Sequence, residues 1–371
     1  MLRIFPPKAG AIPNGYWRNG FGRSVVKSCW GNVEVKIQRL KQKDGKQSQV
    51  YCDGSLDSSG WSPEALKRLL DLVLELPYET ASSLAHTFGL AISSSGLERL
   101  SQPYLTTCQS QLRTLLIEPE VNPIATTKPP SQRLMVLQTD GVFVLKRPED
   151  GYCEGMEIKS AVLYPQASPQ DRIMLAEGCD AKSFFPLLAG LTKKYCSPED
   201  FIVGIGDGAP WVEEALDLLA NIRITDVFHS CQYLDVLMQE LLWDEGKRIQ
   251  HRQAWCRGDI SAQHWLSLHL PTPDQRQHWS QAASTALDYF TARLDHMDYP
   301  AFKAKGYPIG SGQVEAMNKN VIGNRLKRSG MHWSKAGASA MAATRALAFS
   351  KLKLATFEQL RFLAYAPASS P

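Results

Sequence analysis

The stretch that most constrains this chain is Leu134-Met-Val-Leu-Gln-Thr-Asp-Gly-Val-Phe-Val-Leu145, an apolar run interrupted by one carboxylate, Asp140, which Gly141 follows. A run of this length and composition reads as a strand. A polar turn follows at 146–151, and Met156-Glu-Ile-Lys-Ser-Ala-Val-Leu-Tyr164 alternates as a second strand. Arg172-Ile-Met-Leu-Ala-Glu177 makes a third. A helix is expected over 181–194, then a buried strand Phe201-Ile-Val-Gly-Ile-Gly-Asp207, a short helix over 211–220 and a fifth strand over 222–228. Three meandering strands followed by alternating helix and strand predict an α/β fold with a mixed sheet.

The flanks divide the chain further. Residues 1–60 form a small β-rich lead-in, short for a complete N-terminal domain, with Val33-Glu-Val-Lys-Ile-Gln-Arg-Leu40 as a half-buried strand and Gln49-Val-Tyr-Cys52 as its return across a polar turn at 41–46. Residues 61–118 are helical: Ser62 caps, Pro63 takes the first helical position, and Leu66, Leu69, Leu70, Val73 and Leu74 form an apolar stripe. A second helix over 78–87 and a third opening at Ser93 suit a helix-turn-helix or a plain helical hairpin. In the former, Arg99 is the cation available for DNA. Residues 119–133 are a proline-rich linker. Residues 230–305, with Trp243, Trp255, Trp265, Trp279, Tyr289 and Phe290, read as a helical insertion whose aromatics form its core. An Ala-rich helix follows a Ser334 cap, and 355–371 is a tail.

At 371 residues the chain has room for two or three domains. A net charge of +4 permits a nucleic-acid partner without requiring one. The eight cysteines are dispersed with no C-x-x-C pair, as expected for reduced thiols of a cytoplasmic protein. No signal-peptide core or bilayer-length apolar run is present.

Charge is distributed unevenly. From Gly306 to Leu354, eight basic residues (Lys319, Arg325, Lys327, Arg328, Lys335, Arg345, Lys351, Lys353) accompany one acid, Glu315. Glu315 closes Tyr307-Pro-Ile-Gly-Ser-Gly-Gln-Val-Glu315, a glycine-rich turn into a basic helix that Ser311 or Gly312 caps. Val314, Met317 and Val321 form a buried stripe on that helix, and Lys319 lies within reach of Glu315 on another side. Two aspartates interrupt or end apolar strands: Asp140, and Asp207 in Gly-Ile-Gly-Asp-Gly-Ala. Adjacent parallel strands would bring them to one side of the sheet, and Glu315 would complete a cluster of three carboxylates. Such a cluster repels itself unless cations neutralise it, and oxygen-only ligands favour Mg²⁺ or Mn²⁺.

Leu137-Gln-Thr-Asp-Gly141, Gly206-Asp-Gly-Ala-Pro-Trp211, Asp226-Val-Phe-His229, Ile309-Gly-Ser-Gly-Gln-Val-Glu315 and Arg325-Leu-Lys-Arg-Ser-Gly-Met-His-Trp333 together resemble the bacterial insertion-sequence transposases of the Kra type. These belong to the DDE group with a ribonuclease H-like core, and the likeness covers about the last two thirds of the chain. The resemblance implies a core at 134–229 and 306–354 and a triad of Asp140, Asp207 and Glu315 holding two Mg²⁺ or Mn²⁺ ions. Asp226 and His229 would supply the D-x-x-H element shared with Mutator-like transposases, with His229 orienting DNA phosphate or shuttling protons. Lys319, Arg325, Lys327 and Arg328 would neutralise phosphates.

The expected function is cleavage of double-stranded DNA at the ends of a mobile element and joining of 3′-hydroxyls to target DNA, by a nucleoid-associated homodimer or larger assembly. Two alternatives stand beside it: a metal-dependent nuclease of the same fold without strand transfer, and a non-catalytic DNA-binding protein in which the carboxylates are structural.

Overall fold

A computed structural model describes residues 16–29, 31–42, 48–50, 60–117, 132–147 and 154–350. The chain divides into two compact units, residues 1–112 with 354–371, and residues 113–353. Most of the expected linker, the polar turns at 43–47 and 148–153, Tyr51, Cys52, Lys351, Lys353 and the 355–371 tail lie outside the described residues.

In the first unit, β1 (Tyr16–Ser28), β2 (Gly31–Gln42) and β3 (Ser48–Val50) form an antiparallel sheet in sequence order. β1 carries a register shift between Arg18 and Phe21, where Gly20 takes a φ of +72°. Helix α1 (Pro63–Glu75) starts as its sequence dictates: the Ser62 hydroxyl accepts from the Ala65 N–H at 3.3 Å, and the five expected apolar residues are buried. Pro77 separates it from α2 (Tyr78–Thr87), and a turn through Gly89 leads to α3 (Ser94–Ile117), the third helix, which opens one residue after Ser93. Arg99 is exposed on α3.

The second unit is a mixed five-stranded sheet flanked by helices. Its strands are β4 (Leu134–Leu145), β5 (Gly155–Pro165), β6 (Ile173–Glu177), β7 (Phe201–Gly206) and β8 (Ile222–Thr225), in spatial order β6-β5-β4-β7-β8. β4, β5 and β6 pair antiparallel, while β4–β7 and β7–β8 are parallel. The parallel crossovers run through α4 (Ala181–Tyr195) and α5 (Pro210–Leu219). α5 packs so closely on β7 that a Cβ on Gly206 would meet Val212 Cγ1 at 2.2 Å.

β8 stops at Thr225, three residues short of the expected strand, because Asp226 caps α6 (Val227–Glu240). The insertion therefore begins within the first turn of that helix. It continues through α7 (Glu245–Cys256), α8 (Ala262–His269), α9 (Gln281–Thr291) and α10 (Tyr299–Ala304). Its core holds Trp255, Trp265, Phe290 and Tyr299, with Trp255 edge-on to Phe290 and to Tyr299.

The chain then returns to the sheet as α11 (Gly312–Met317), a π-helical turn (Asn318–Gly323), the short α12 (Asn324–Leu326) and α13 (Lys335–Phe349). The expected continuous basic helix is thus broken into pieces, although Val314, Met317 and Val321 are buried as expected. Among the described residues no helix is long and apolar enough to cross a membrane.

Candidate active site

Gln138 and Asp140, two residues apart on β4, project from the same face of the sheet. Gln138 is 1% exposed and uses its whole amide. Its Oε1 accepts from the N–H groups of Gln313 and Val314, both at 3.0 Å, while its Nε2 donates to the Gly310 carbonyl at 3.1 Å and to Tyr164 Oη at 3.0 Å. A helix start leaves orphan N–H groups, and here a strand side chain satisfies that of Gln313 and shares that of Val314 with the Ser311 carbonyl. Ser311, the expected cap, makes no capping hydrogen bond and instead donates its hydroxyl to Glu315 Oε1 at 3.1 Å. Gln138 thereby pins the start of α11 to β4, with Glu315 in its first turn.

Asp140 sits in a ring of donors and like charges. Its Oδ1 accepts from the Gly141 N–H and its Oδ2 from Asn318 Nδ2, each at 2.7 Å. Asn318 is held in turn: its Oδ1 lies 2.7 Å from Ser160 Oγ, and Ser160 is directly across from Asp140 on β5. A Cβ on Gly141 would stand 2.0 Å from Glu157 Oε1, so that side chain would have to swing away. Burial pushes the Asp140 carboxyl up to about 6, and the charges of Asp207 and Glu315 push in the same direction against the two hydrogen bonds. The three expected carboxylates therefore share one electrostatic neighbourhood, although they lie on a strand, a loop and a helix.

Asp207 follows the last residue of β7, and its Oδ1 accepts from the Ala209 N–H at 2.9 Å across Gly208, whose φ is +89°. Tyr289 Oη donates to the Asp207 carbonyl at 2.8 Å. Glu315 is exposed and forms no salt bridge with Lys319, which is exposed as well. The donor set is oxygen-only and anionic, which fits Mg²⁺ or Mn²⁺. With Glu315 turned to Ser311, no group of three or more His, Cys, Asp or Glu side chains converges as metal ligands among the described residues.

Two expected roles change. Asp226 is fully buried, and both carboxylate oxygens are taken by backbone: Oδ1 accepts from the His229 N–H at 2.5 Å and Oδ2 from the Ser311 N–H at 2.6 Å. It is a staple between β8, α6 and the loop before Glu315, not a group that meets a substrate. Arg325, expected at DNA phosphates, is 0% exposed with its guanidinium 5.0 Å from the Trp333 ring centre, inside the fold. Lys327 and Arg328 are exposed, with Arg328 Nε donating to the Asn324 carbonyl at 2.6 Å.

His229 is half-buried, its ring 5.7 Å from Tyr233 and 6.4 Å from Tyr289. Tyr289 links it to the Asp207 loop. No protein-family model and no curated protein matches the chain. Gln138, Asn318, Ser160 and Tyr289 are site residues that sequence reasoning missed. Gln138 had a legible signal: it is the one long polar side chain in an apolar run, two residues before Asp140.

Proposed function

We propose that the chain is a DDE-type transposase that cleaves DNA at the ends of an insertion sequence and joins the 3′-hydroxyls to target DNA. The observation that carries this reading is the placement of Asp140, on the central strand of a mixed sheet, beside Asp207 just past the end of the neighbouring parallel strand, with the charges of Asp207 and Glu315 both acting on Asp140. That sheet, with one acid on β4, a second just past the end of the parallel β7 and a helix-borne glutamate, supports a ribonuclease H-like core.

Asp140, Asp207 and Glu315 would hold Mg²⁺ or Mn²⁺. Such ions activate the attacking water or 3′-hydroxyl and stabilise the leaving oxygen in phosphoryl transfer. The chain's own residues hold the site. Gln138 and Asp226 fix the loop and helix that carry Glu315, Asn318 orients the Asp140 carboxylate, and Gly208 lets the backbone turn behind Asp207. Lys319, Lys327 and Arg328 are exposed on the segment after Glu315 and available to phosphates, and His229 is available to orient one. Arg99 and the helices of residues 61–118 are assigned to recognition of the element ends, in a dimer or larger assembly that brings two ends together.

The test is cleavage and joining of a duplex carrying the inverted repeats that flank the gene. Asp140→Asn, Asp207→Asn and Glu315→Gln should each lower cleavage by about three orders of magnitude or more, since this chemistry depends on positioning and electrostatics. Full cleavage by any one variant removes that residue from the site. Cleavage without joining, from a donor end bearing a free 3′-hydroxyl, would make the protein a nuclease.

A further inference from the structure

We infer that Tyr289 and Arg293, carried by the helical insertion, are positioning residues for Asp207, so that the insertion forms a working wall of the active site. The inference rests on the proposed role of Asp207 and adds to it the device that holds that residue in place.

Tyr289 lies on α9, and Arg293, four residues on, follows just past its end. Tyr289 Oη donates to the Asp207 carbonyl at 2.8 Å, and Arg293 Nη2 donates to the Gly208 carbonyl at 2.9 Å. Two consecutive carbonyls are thus caught from one helix end, which fixes the backbone on both sides of the Gly208 Cα. Only a left-handed residue presents them this way, and Gly208 has a φ of +89°. A Cβ there would meet Arg293 Nε at 2.7 Å and Tyr289 Oη at 3.2 Å, so the clasp and the glycine fit each other.

Both clasping side chains are themselves held. The Tyr289 ring stacks on Tyr233 with centroids 3.9 Å apart and planes 10° from parallel. The Arg293 guanidinium lies 4.4 Å from the Tyr289 ring centre and donates from Nη2 to Glu213 Oε2 of α5 at 3.1 Å, with its Nε 3.0 Å from Oε1 as an ion pair. Glu213 also pairs with Arg223 of β8, whose Nη2 lies 2.8 Å from His296 Nε2. A surface packing contact needs none of this. The network reaches from the insertion through α5 and β8 to the one loop that carries a triad carboxylate.

The test uses the full chain without metal and follows hydrogen exchange of the Ala209 amide, whose N–H donates to Asp207 Oδ1 at 2.9 Å. Tyr289→Phe keeps the stacked ring and removes only the hydroxyl. Arg293→Gln removes the fork as well as the charge. With the clasp released the Asp207 loop should open more often, and the Ala209 amide should exchange about tenfold faster or more in Tyr289→Phe. Cleavage of end DNA should fall about tenfold or more. Ala286→Gly, a buried change in α9 that does not touch the loop, should lower the thermal midpoint and leave the Ala209 exchange unmoved. An Ala209 exchange rate in Tyr289→Phe identical to that of the unaltered chain would overturn the inference, whether or not Arg293→Gln folds. Absence of cleavage by the unaltered chain would instead count against the transposase reading, while the exchange rate still decides the clasp.

Discussion

Asp140 is balanced between opposing influences, and that balance makes it the most informative residue in the molecule. Burial and the charges of Asp207 and Glu315 favour its neutral form, while the Gly141 N–H and the Asn318 amide favour the carboxylate. Asn318→Ala removes one of the two hydrogen bonds. The Asp140 midpoint should then rise further above about 6, and Ser160 loses its closest polar partner within the fold. Ser160 Oγ keeps its hydrogen bond to the Asp140 carbonyl at 3.0 Å, so the loss is that of ordinary hydrogen bonds, about 1 kcal/mol, and urea unfolding near pH 7 should show a loss of that order alongside the upward shift. A falling midpoint, or unchanged stability, would mean that Asn318 does not orient the carboxylate. Asp140 and Asp207 were legible because each carboxylate breaks or ends an apolar run. Asn318 was not, because a polar residue three positions after Glu315 on a basic helix looks like part of a solvated face.

At the scale of elements, α11 is set against the sheet from outside its own sequence. Gln138 substitutes for the missing Ser311 cap, and Asp226 holds the Ser311 N–H. Gln138→Met keeps a similar volume but leaves the Gln313 N–H and the Gly310 carbonyl without their partner, while the Val314 N–H keeps the Ser311 carbonyl at 3.0 Å. Each buried group left unsatisfied costs about 1–3 kcal/mol. Denaturant unfolding should show a loss of about 2 kcal/mol or more, and cleavage should fall with it as Glu315 loses its seat. A near-neutral result would show that water replaces the Gln138 amide and that α11 is not pinned to β4. The strands β4 to β7 were read nearly residue by residue, because apolar runs between turn signals carry their own boundaries. The errors lie where a side chain decides. Asp226 ends β8 by capping a helix, and the strand pattern could not distinguish Val227 and Phe228 from a continuing run. β1 was missed because glycines and a register shift near Gly20 break its alternation. The basic motif that places Arg325 at phosphates cannot tell an exposed arginine from one stacked on Trp333 inside the fold.

The fold sets Asp207 and Glu315 near enough for their charges to raise Asp140, although the three lie far apart in the chain, with the helical insertion between the second and the third. Like charges held together destabilise an empty site, and a cation that binds there relieves them. The thermal midpoint against pH, with and without Mg²⁺, in the unaltered chain and in Asp140→Asn tests this most directly. Asp140 moves from the ordinary 3.8 to about 6 in the fold. Its contribution to stability is therefore fully present below pH 4 and is lost as the pH rises through 6, a change of about 3 kcal/mol. The difference between the two proteins isolates that group from every other titration. The expected result without metal is an unaltered chain that loses stability relative to Asp140→Asn between pH 4 and 7. With Mg²⁺ that relative loss should disappear, and the unaltered chain should gain more from the ion than the variant does. Curves that coincide with and without Mg²⁺ at every pH would contradict the central claim that Asp140, Asp207 and Glu315 form one cation site.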